Sequence, residues 1–280
     1  MRLFLFLWLF ASISSTTFAQ TRLGVFTGVA NYMGDLVEAP YASPRAAFGL
    51  SLNVPIGPRL SLRTGLTFAK VAGADSLSSN ALYRSRNLNF QSPVTEFSLV
   101  GEYNLFNLDN LKWTPYAFAG VAVFHYNPFT YDGPNKIHLQ PLGTEGQGIA
   151  SYNRQPYSLT SFAIPLGGGI KFVLSDKVNL GIEAGLRKTF TDYLDDVSTV
   201  YADGGDLLKA HDQRAVDLAF RGDEVRGSTA TYPGKGDVRG SAKSKDYYYF
   251  TGVHLTFALD NGDVFFRGKS RSGLGCPKVN

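Results

Sequence analysis

Apolar and polar residues alternate one by one along much of the chain. In the segment 178–190, valine, leucine, isoleucine, alanine and phenylalanine occupy one face, while asparagine, glycine, glutamate, arginine and threonine occupy the other. Such alternation is typical of β-strands with one face in an apolar environment. Six segments show it clearly, and two are apolar on both faces. Together they predict eight strands, at 22–30, 46–54, 60–69, 96–105, 113–126, 162–174, 178–190 and 247–259.

The predicted connections alternate between short and long. Three are tight turns, and the four between them are long: 31–45, 71–93, 127–157 and 194–245. Outer-membrane barrels have short periplasmic turns and long extracellular loops, and an even strand number places both termini on the short-turn side. The sequence therefore predicts an all-β fold, an eight-stranded antiparallel transmembrane β-barrel of the outer membrane.

Six charged side chains lie on the polar faces of these strands, opposite the apolar stripe. They are Arg63, Glu96, Glu102, Lys171, Glu183 and Arg187. A lipid-facing band excludes charge, whereas a lumen tolerates it. We therefore expect these six side chains to point into a narrow lumen and to form ion pairs there. The alternative is a secreted lipocalin-like barrel with apolar residues inside, whose charged exterior these sparse charges would not supply.

Composition excludes several other classes. The chain has 280 residues, of which 14% are aromatic and only 18% charged, so most of it can bury a core and is not disordered. Its richness in Tyr, Phe, Thr, Val and Gly disfavours a helical bundle. The net charge of +4 is not concentrated in one segment, which speaks against a nucleic-acid partner. A single cysteine, Cys276, excludes an internal disulfide framework; it could be free or cross-linked between chains.

The two termini are predicted to lie outside the barrel. Residues 1–19 combine Arg2, a short apolar stretch and a small-residue cleavage site, the features of a secretory signal peptide that is removed on export. The barrel domain then comprises residues 20–259. Residues 260–280 form a net-positive periplasmic tail that could contact a partner. We therefore expect the mature protein to reside in the cell outer membrane, in contact with its lipids.

The loop 194–245 is too long to be a mere connector. We expect a helix over 207–221, capped by Asp206, within either a partner-binding cap or a mobile surface loop. Asp192, Asp195 and Asp196 stand at the end of the seventh strand. Their spacing favours capping and turn hydrogen bonds over a Ca²⁺ site.

No catalytic motif is evident. HExxH and GxSxG are both missing from the sequence. An outer-leaflet enzyme would have to use unspecific candidates such as His125 and His138 near Asp132. We predict a protein that is not an enzyme and that needs no metal or cofactor.

Five short strings carry a family resemblance. They are YMGDL at 32–36, TPYAFAG at 114–120, PLGTEGQG at 141–148, LSDK at 174–177 and TFTDYLDDVS at 189–198. Together they resemble the PorG-type outer-membrane β-barrels of Bacteroidetes. The resemblance implies that a structural motif formed by Asp192, Tyr193, Asp195 and Asp196 braces the outer end of the barrel.

The same resemblance implies a role in protein transport. PorG-type barrels are non-enzymatic components of the type IX secretion system, associated with a periplasmic ring built from PorK and PorN. The expected partners are therefore outer-membrane lipids and PorK/PorN-like ring proteins. The long insertion at 204–245 departs from the family pattern. A stand-alone outer-membrane barrel, adhesin-like or an outer-leaflet enzyme, remains the alternative.

Overall fold

The computed structural model describes residues 20–259, except residues 38, 109 and 244. The predicted signal peptide, the tail 260–280 and Cys276 lie outside the described residues.

Eight long strands form a closed antiparallel barrel. Each long strand pairs with its neighbours in the chain, and the last pairs with the first. The strands are β1 (Arg22–Met33), β2 (Arg45–Pro55), β3 (Leu60–Ala74), β4 (Asn89–Asn104), β5 (Trp113–Tyr126), β8 (Thr160–Ser175), β9 (Val178–Thr189) and β10 (Tyr247–Ala258). A short hairpin, β6 (Phe129–Asp132) and β7 (Asn135–His138), extends the sheet beside β4. The predicted fold, an eight-stranded antiparallel barrel, is confirmed.

The barrel has two different ends. The short-turn end carries the connections 56–59, 105–112 and 176–177. The loop end carries loop 1 (34–44), loop 2 (75–88), loop 3 (127–159, which includes β6 and β7) and loop 4 (190–246). The alternation of short and long connections follows the sequence prediction.

Strands β3 and β4 are longer than predicted, and the β6–β7 hairpin was not predicted. At the loop end, β3 also includes residues 70–74, and β4 also includes residues 89–95. After Lys70, the extension of β3 consists of small apolar residues on both faces, so the alternation disappears there. In β4, Pro93 is typical of a strand end rather than a strand interior. Val71 and Phe90 are fully buried there, so tertiary packing holds these segments in the sheet.

The outer face of the strands is apolar. Large hydrophobic side chains alternate with buried ones along every long strand, and many keep a third to two thirds of their surface exposed. They include Phe48, Leu50, Leu62, Leu66, Phe68, Phe97, Leu99, Val121, Phe162, Ile164, Leu166, Ile170 and Ile182. We call this surface the apolar belt.

The interior is divided along its length. Near the short-turn end it is polar, with buried residues such as Asn53, Ser61 and Asn179. Near the loop end it is filled by aromatic rings, where Phe124 meets Tyr248 at 5.3 Å between ring centroids. Between the two halves lies a small cavity of about 40 Å³, the size of a few water molecules.

The predicted helix over 207–221 is wrong as a single helix. Loop 4 contains α2 (Gly204–Ala210) and α3 (Gln213–Ala219), while loop 2 contains α1 (Ala81–Arg86). The caps are Asp203, which accepts from the Asp206 backbone N–H at 3.1 Å, and Asp212, which accepts from the Ala215 backbone N–H at 3.0 Å. The second cap interrupts the apolar pattern and starts a new helix. Within the described residues, no helix is both long enough and apolar enough to cross a membrane.

The filled interior predicts that the barrel does not conduct solutes. An eight-stranded barrel has room only for side chains, and here rings and ion pairs occupy the lumen. Planar-bilayer recordings of the purified protein should therefore show no steady conductance. Large stable pores of the porin type would contradict this expectation.

Candidate functional site

The six predicted lumen charges lie inside the barrel as two groups. Towards the short-turn end, Arg63 Nη1 donates to Glu183 Oε2 at 2.7 Å and lies 3.7 Å from Glu102 Oε2. Lys171 Nζ donates to Glu102 Oε1 in the same group. Towards the loop end, Arg187 Nε donates to Glu96 Oε2 at 3.1 Å. Every member of the set thus has an ion-pair partner of opposite sign.

Two tyrosines complete these groups and were not predicted. Tyr116 Oη donates to Glu183 Oε2 at 2.7 Å, and Tyr248 Oη donates to Glu96 Oε2 at 2.7 Å. Tyr248 lies on the polar face of the predicted strand 247–259. Because the polar faces are predicted to point into the lumen, the sequence could have indicated this position. Tyr116 lies in a strand that is apolar on both faces, where the facing was ambiguous.

A second polar cluster lies beneath the loops and centres on Glu145. This carboxylate is fully buried and accepts from the Ser198 backbone N–H at 2.9 Å and from Thr199 Oγ1 at 2.6 Å. Arg239 Nη1 also donates to it, at 3.1 Å. Glu145 in loop 3 therefore binds two parts of loop 4. We call this cluster the loop hub, formed by Tyr32, Asp35, Asp75, Arg86, Thr144, Glu145, Tyr157, Asp192, Tyr193, Asp195, Asp196, Ser198, Thr199, Arg239 and Asp246.

Glycines shape the turn that presents Glu145. Gly143 has a left-handed backbone with a φ of 55°, which favours glycine. A Cβ atom at Gly143 would lie 2.4 Å from the Gln147 carbonyl oxygen. A side chain at Gly143 would therefore disturb the turn that brings the Glu145 carboxylate under loop 4.

Two arginines connect the remaining loops to the hub. Arg239 Nη1 donates to the Asp196 carbonyl oxygen at 2.5 Å. Arg86 in α1 binds Asp75 Oδ1 at 2.6 Å, and it also donates to the Arg239 carbonyl oxygen and, at 3.2 Å, to the Asp35 carbonyl oxygen. The hub therefore joins all four loops.

The residues of the predicted outer-end motif all lie in the hub. Asp192 Oδ2 accepts from Ser198 Oγ at 2.6 Å. Tyr193 stacks on Tyr157 with ring centroids 4.5 Å apart. Asp195 Oδ2 accepts a hydrogen bond from Tyr32 Oη at 2.5 Å. Asp196 Oδ1 accepts a hydrogen bond from Tyr157 Oη at 2.7 Å. The sequence indicated these four positions, but not the partners that they bind.

The aspartates do not share one site. Asp192, Asp195 and Asp196 bind different hydroxyl groups, and no group of three or more His, Cys, Asp or Glu side chains that could hold a metal ion occurs among the described residues. The enzyme candidates also have separate partners. His125 lies beside Thr160 at 3.2 Å, whereas Asp132 pairs with Arg214 at 3.6 Å.

Burial sets the electrostatics of the hub. Asp195 and Asp246 flank the Tyr32 hydroxyl, whose oxygen lies 2.5 and 2.9 Å from them. Burial, together with the neighbouring carboxylate charges, raises the pKa of both acids well above the usual range. Burial also raises the pKa of Asp192 and of Asp196 to about 6, although hydrogen bonds oppose the shift at both and Arg239 opposes it at Asp196.

The raised pKa values predict that the loop hub is more stable in mild acid. A carboxyl group with a higher pKa in the folded protein contributes stability that is complete below its unfolded value near 3.8 and is lost as the pH rises through its folded value. We expect stronger hydrogen-exchange protection of residues 192–199 at pH 5 than at pH 7.5, after correction for intrinsic exchange rates.

An isosteric variant tests whether protonation of a buried carboxyl group causes this stabilisation. Asp195→Asn keeps the shape of the protonated acid, so at pH 7.5 it should bring the protection of residues 192–199 towards the wild-type value at pH 5. The control is Asp223→Asn, an exposed position in the same loop, which should change nothing. Weaker protection of the wild type at pH 5 would contradict the account.

Comparison with solved structures finds other barrels of low sequence identity. The crystal structure of Neisserial surface protein A (NspA) is 8% identical, with 87% of this chain and 100% of that chain covered and a TM-score of 0.44. The outer membrane protein OprG from Pseudomonas aeruginosa is 11% identical, with 86% and 98% covered and a TM-score of 0.41. A major outer membrane protein from Thermus thermophilus is 12% identical, with 86% and 100% covered and a TM-score of 0.40.

The sequence itself identifies a family. No curated protein matches the chain. The family model described as "Domain of unknown function (DUF6089)" matches residues 1–203, which include β1 to β9 and the outer-end motif. The match spans well over half of the chain, so the protein belongs to the DUF6089 family.

Proposed function

We propose that the protein is a non-enzymatic barrel of the outer membrane with a structural or anchoring role. The observation that carries this proposal is the apolar belt, which surrounds a lumen that holds the charges. Phe97, Val121 and Phe162 each expose more than half of their side chains, at 54%, 62% and 66%. Such a continuous apolar surface is rare on soluble monomers, but it suits the hydrocarbon region of a bilayer.

The arrangement of charges speaks against a soluble lipocalin-like barrel. Arg63, Glu102 and Glu183 are buried inside, where a lipocalin-like barrel would carry apolar residues. We therefore expect the protein in outer-membrane fractions, with heat-modifiable migration on gels and a β-rich circular dichroism spectrum. A soluble protein recovered from the periplasm would refute the proposal.

The finer proposal is that the barrel is a component of the type IX protein secretion system. It rests on the five strings that resemble PorG-type barrels. Three of these strings, at 32–36, 141–148 and 189–198, are far apart in sequence but meet in the loop hub. Their convergence supports a shared structural unit. In this role the loop hub braces the outer end, while the short-turn end faces the periplasmic ring of PorK/PorN-like proteins.

Affinity purification after crosslinking in detergent-solubilised outer membranes tests the secretion role. The proposal expects a PorK/PorN-like ring protein to co-purify with the barrel. A variant that lacks residues 262–280 should still insert and should retain less of that ring protein. If no ring protein is captured with either form, the secretion role is refuted, while membrane insertion, scored separately, still stands.

A stand-alone barrel with an outward binding role is the second candidate. The specific observation in its favour is the packing of loop 4, where Ala202, Leu207 and Ala219 form a small buried core with Ile149, Tyr152 and Tyr232 against it. This core favours a folded cap over a mobile loop. An adhesin-like role requires that whole cells lacking the protein lose binding to a host or matrix surface while secretion stays normal.

A further inference from the structure

A pair of lysines lies on the outer surface of the barrel at the loop end. Lys70 in β3 and Lys136 in β7 flank the ring of Phe129, with Tyr131 and His138 beside it. We call these five residues the lysine patch. The β6–β7 hairpin holds the patch against the barrel, because Phe129 pairs with Gln91 of β4.

The two ammonium groups converge on one ring. Lys136 Nζ lies 4.1 Å and Lys70 Nζ 5.8 Å from the Phe129 centroid. The ring is only 3% exposed, and both ammonium groups lie within about 6 Å of its centroid. In the described part of the chain, neither lysine forms a salt bridge with a carboxylate.

The patch lies just beyond the apolar belt. Lys70 follows Phe68 by two residues on the same outward face of β3, a rise of about 7 Å along the strand. Phe68 exposes 48% of its surface and belongs to the belt. A bilayer that covers the belt therefore brings its headgroups to the level of the two ammonium groups.

The chemistry of the patch selects an anionic headgroup. Two cations without a protein counter-ion attract a group with more than one negative charge, and Tyr131, which is 46% exposed, adds a hydroxyl donor. A phosphate oxygen is an acceptor for both ammonium groups and for the Tyr131 hydroxyl.

We propose that the lysine patch binds the phosphate of an outer-leaflet glycolipid headgroup. The proposal rests on the proposed outer-membrane location, but it is independent of the secretion role. The lipid fixes the barrel at one depth in the outer leaflet, on the side formed by β3, β4 and the hairpin.

The test measures lipid retained by the purified barrel. Protein is inserted into phosphatidylcholine vesicles with and without diphosphorylated lipid A, extracted with mild detergent and weighed by native mass spectrometry. We expect Lys70→Ala/Lys136→Ala to retain at least tenfold less lipid A than the wild type. Lys70→Arg/Lys136→Arg should retain it at the wild-type level, because each arginine keeps the charge.

Two lysines elsewhere provide a matched control. Lys112 is exposed at the short-turn end, and Lys188 is a separate outward lysine on β9, so Lys112→Ala/Lys188→Ala removes the same charge from the surface. This variant should retain as much lipid A as the wild type. Equal retention by both alanine double variants would overturn the proposal.

Two further arms identify the source of the phosphate. Dephosphorylated lipid A should not be retained, and millimolar inorganic phosphate should not displace bound lipid A. Complete displacement by inorganic phosphate would overturn the lipid assignment in favour of a free phosphate site. Insertion into pure phosphatidylcholine vesicles is measured for the wild type and for every variant. A wild type that does not insert would overturn both the outer-membrane proposal and the lipid proposal. Normal insertion, with equal lipid A retention by the two alanine double variants, would overturn the lysine patch alone.

Discussion

Replacement of Arg239 by methionine is expected to release the loops from the barrel. Arg239 is 2% exposed and faces two carboxylates, Glu145 at 3.1 Å and Asp196 at 3.5 Å. Methionine is unbranched like arginine but shorter and uncharged, so both acids remain buried without their cation. Loss of one partner from a buried pair destabilises by about 3–5 kcal/mol, and we expect that cost to fall on the loop hub.

The effect should be local to the loop end. Limited proteolysis and hydrogen exchange should show faster cleavage and exchange in residues 140–155 and 190–246, while β4, β5 and β9 stay protected. The matched control is Arg226→Met, the same change at an exposed position in the same loop. Loop protection in Arg239→Met equal to that in the control would show that the hub does not hold the loops.

Replacement of Arg187 by methionine is expected to destabilise the barrel itself. Glu96 is fully buried, and its two oxygens accept from Arg187 and from Tyr248. Without the arginine, the carboxylate remains charged or must take up a proton inside the lumen. The expected loss in the free energy of unfolding is about 3–5 kcal/mol where the site is dry, and less where water reaches it.

A double variant separates the ion pair from simple packing. Arg187→Met with Glu96→Gln removes both charges and keeps a donor and acceptor near Tyr248, so it should recover part of the loss. Lys188→Met, at the neighbouring outward position, is the control and should be close to the wild type. Urea unfolding in detergent micelles measures all four proteins. Equal stability of the single variant and the control would contradict the role of the pair.

The barrel could be predicted from the sequence because successive side chains of a strand point to opposite faces. The polarity of every second residue therefore shows which environment each face meets. In β9, Glu183 and Arg187 fall on one face and Ile182 on the other, and that period alone fixed which side faces outward. The extensions of β3 and β4 escaped prediction because small apolar residues and Pro93 remove the period, and long-range packing of Phe90 replaces it.

The loop hub could be predicted only in part. The string at 189–198 marked the aspartates, but Arg239 lies 94 residues from its partner Glu145, in a stretch without any periodic pattern. Loop contacts of this kind depend on the closed barrel, which brings the ends of distant strands together. The sequence also failed to predict the role of Asp212. The apolar spacing over 207–221 predicts one helix, but Asp212 caps a second helix and so ends the first before it.

A nitroxide scan of β4 tests the central claim, a closed barrel with its apolar face in the bilayer. Single cysteines at Phe97, Ser98, Leu99 and Val100, with Cys276 replaced by serine, are spin-labelled and reconstituted in vesicles. The account predicts high collision rates with oxygen dissolved in lipid at 97 and 99, which are exposed, and low rates at 98 and 100, which are buried. High rates at 98 and 100, or no alternation along the strand, would contradict it.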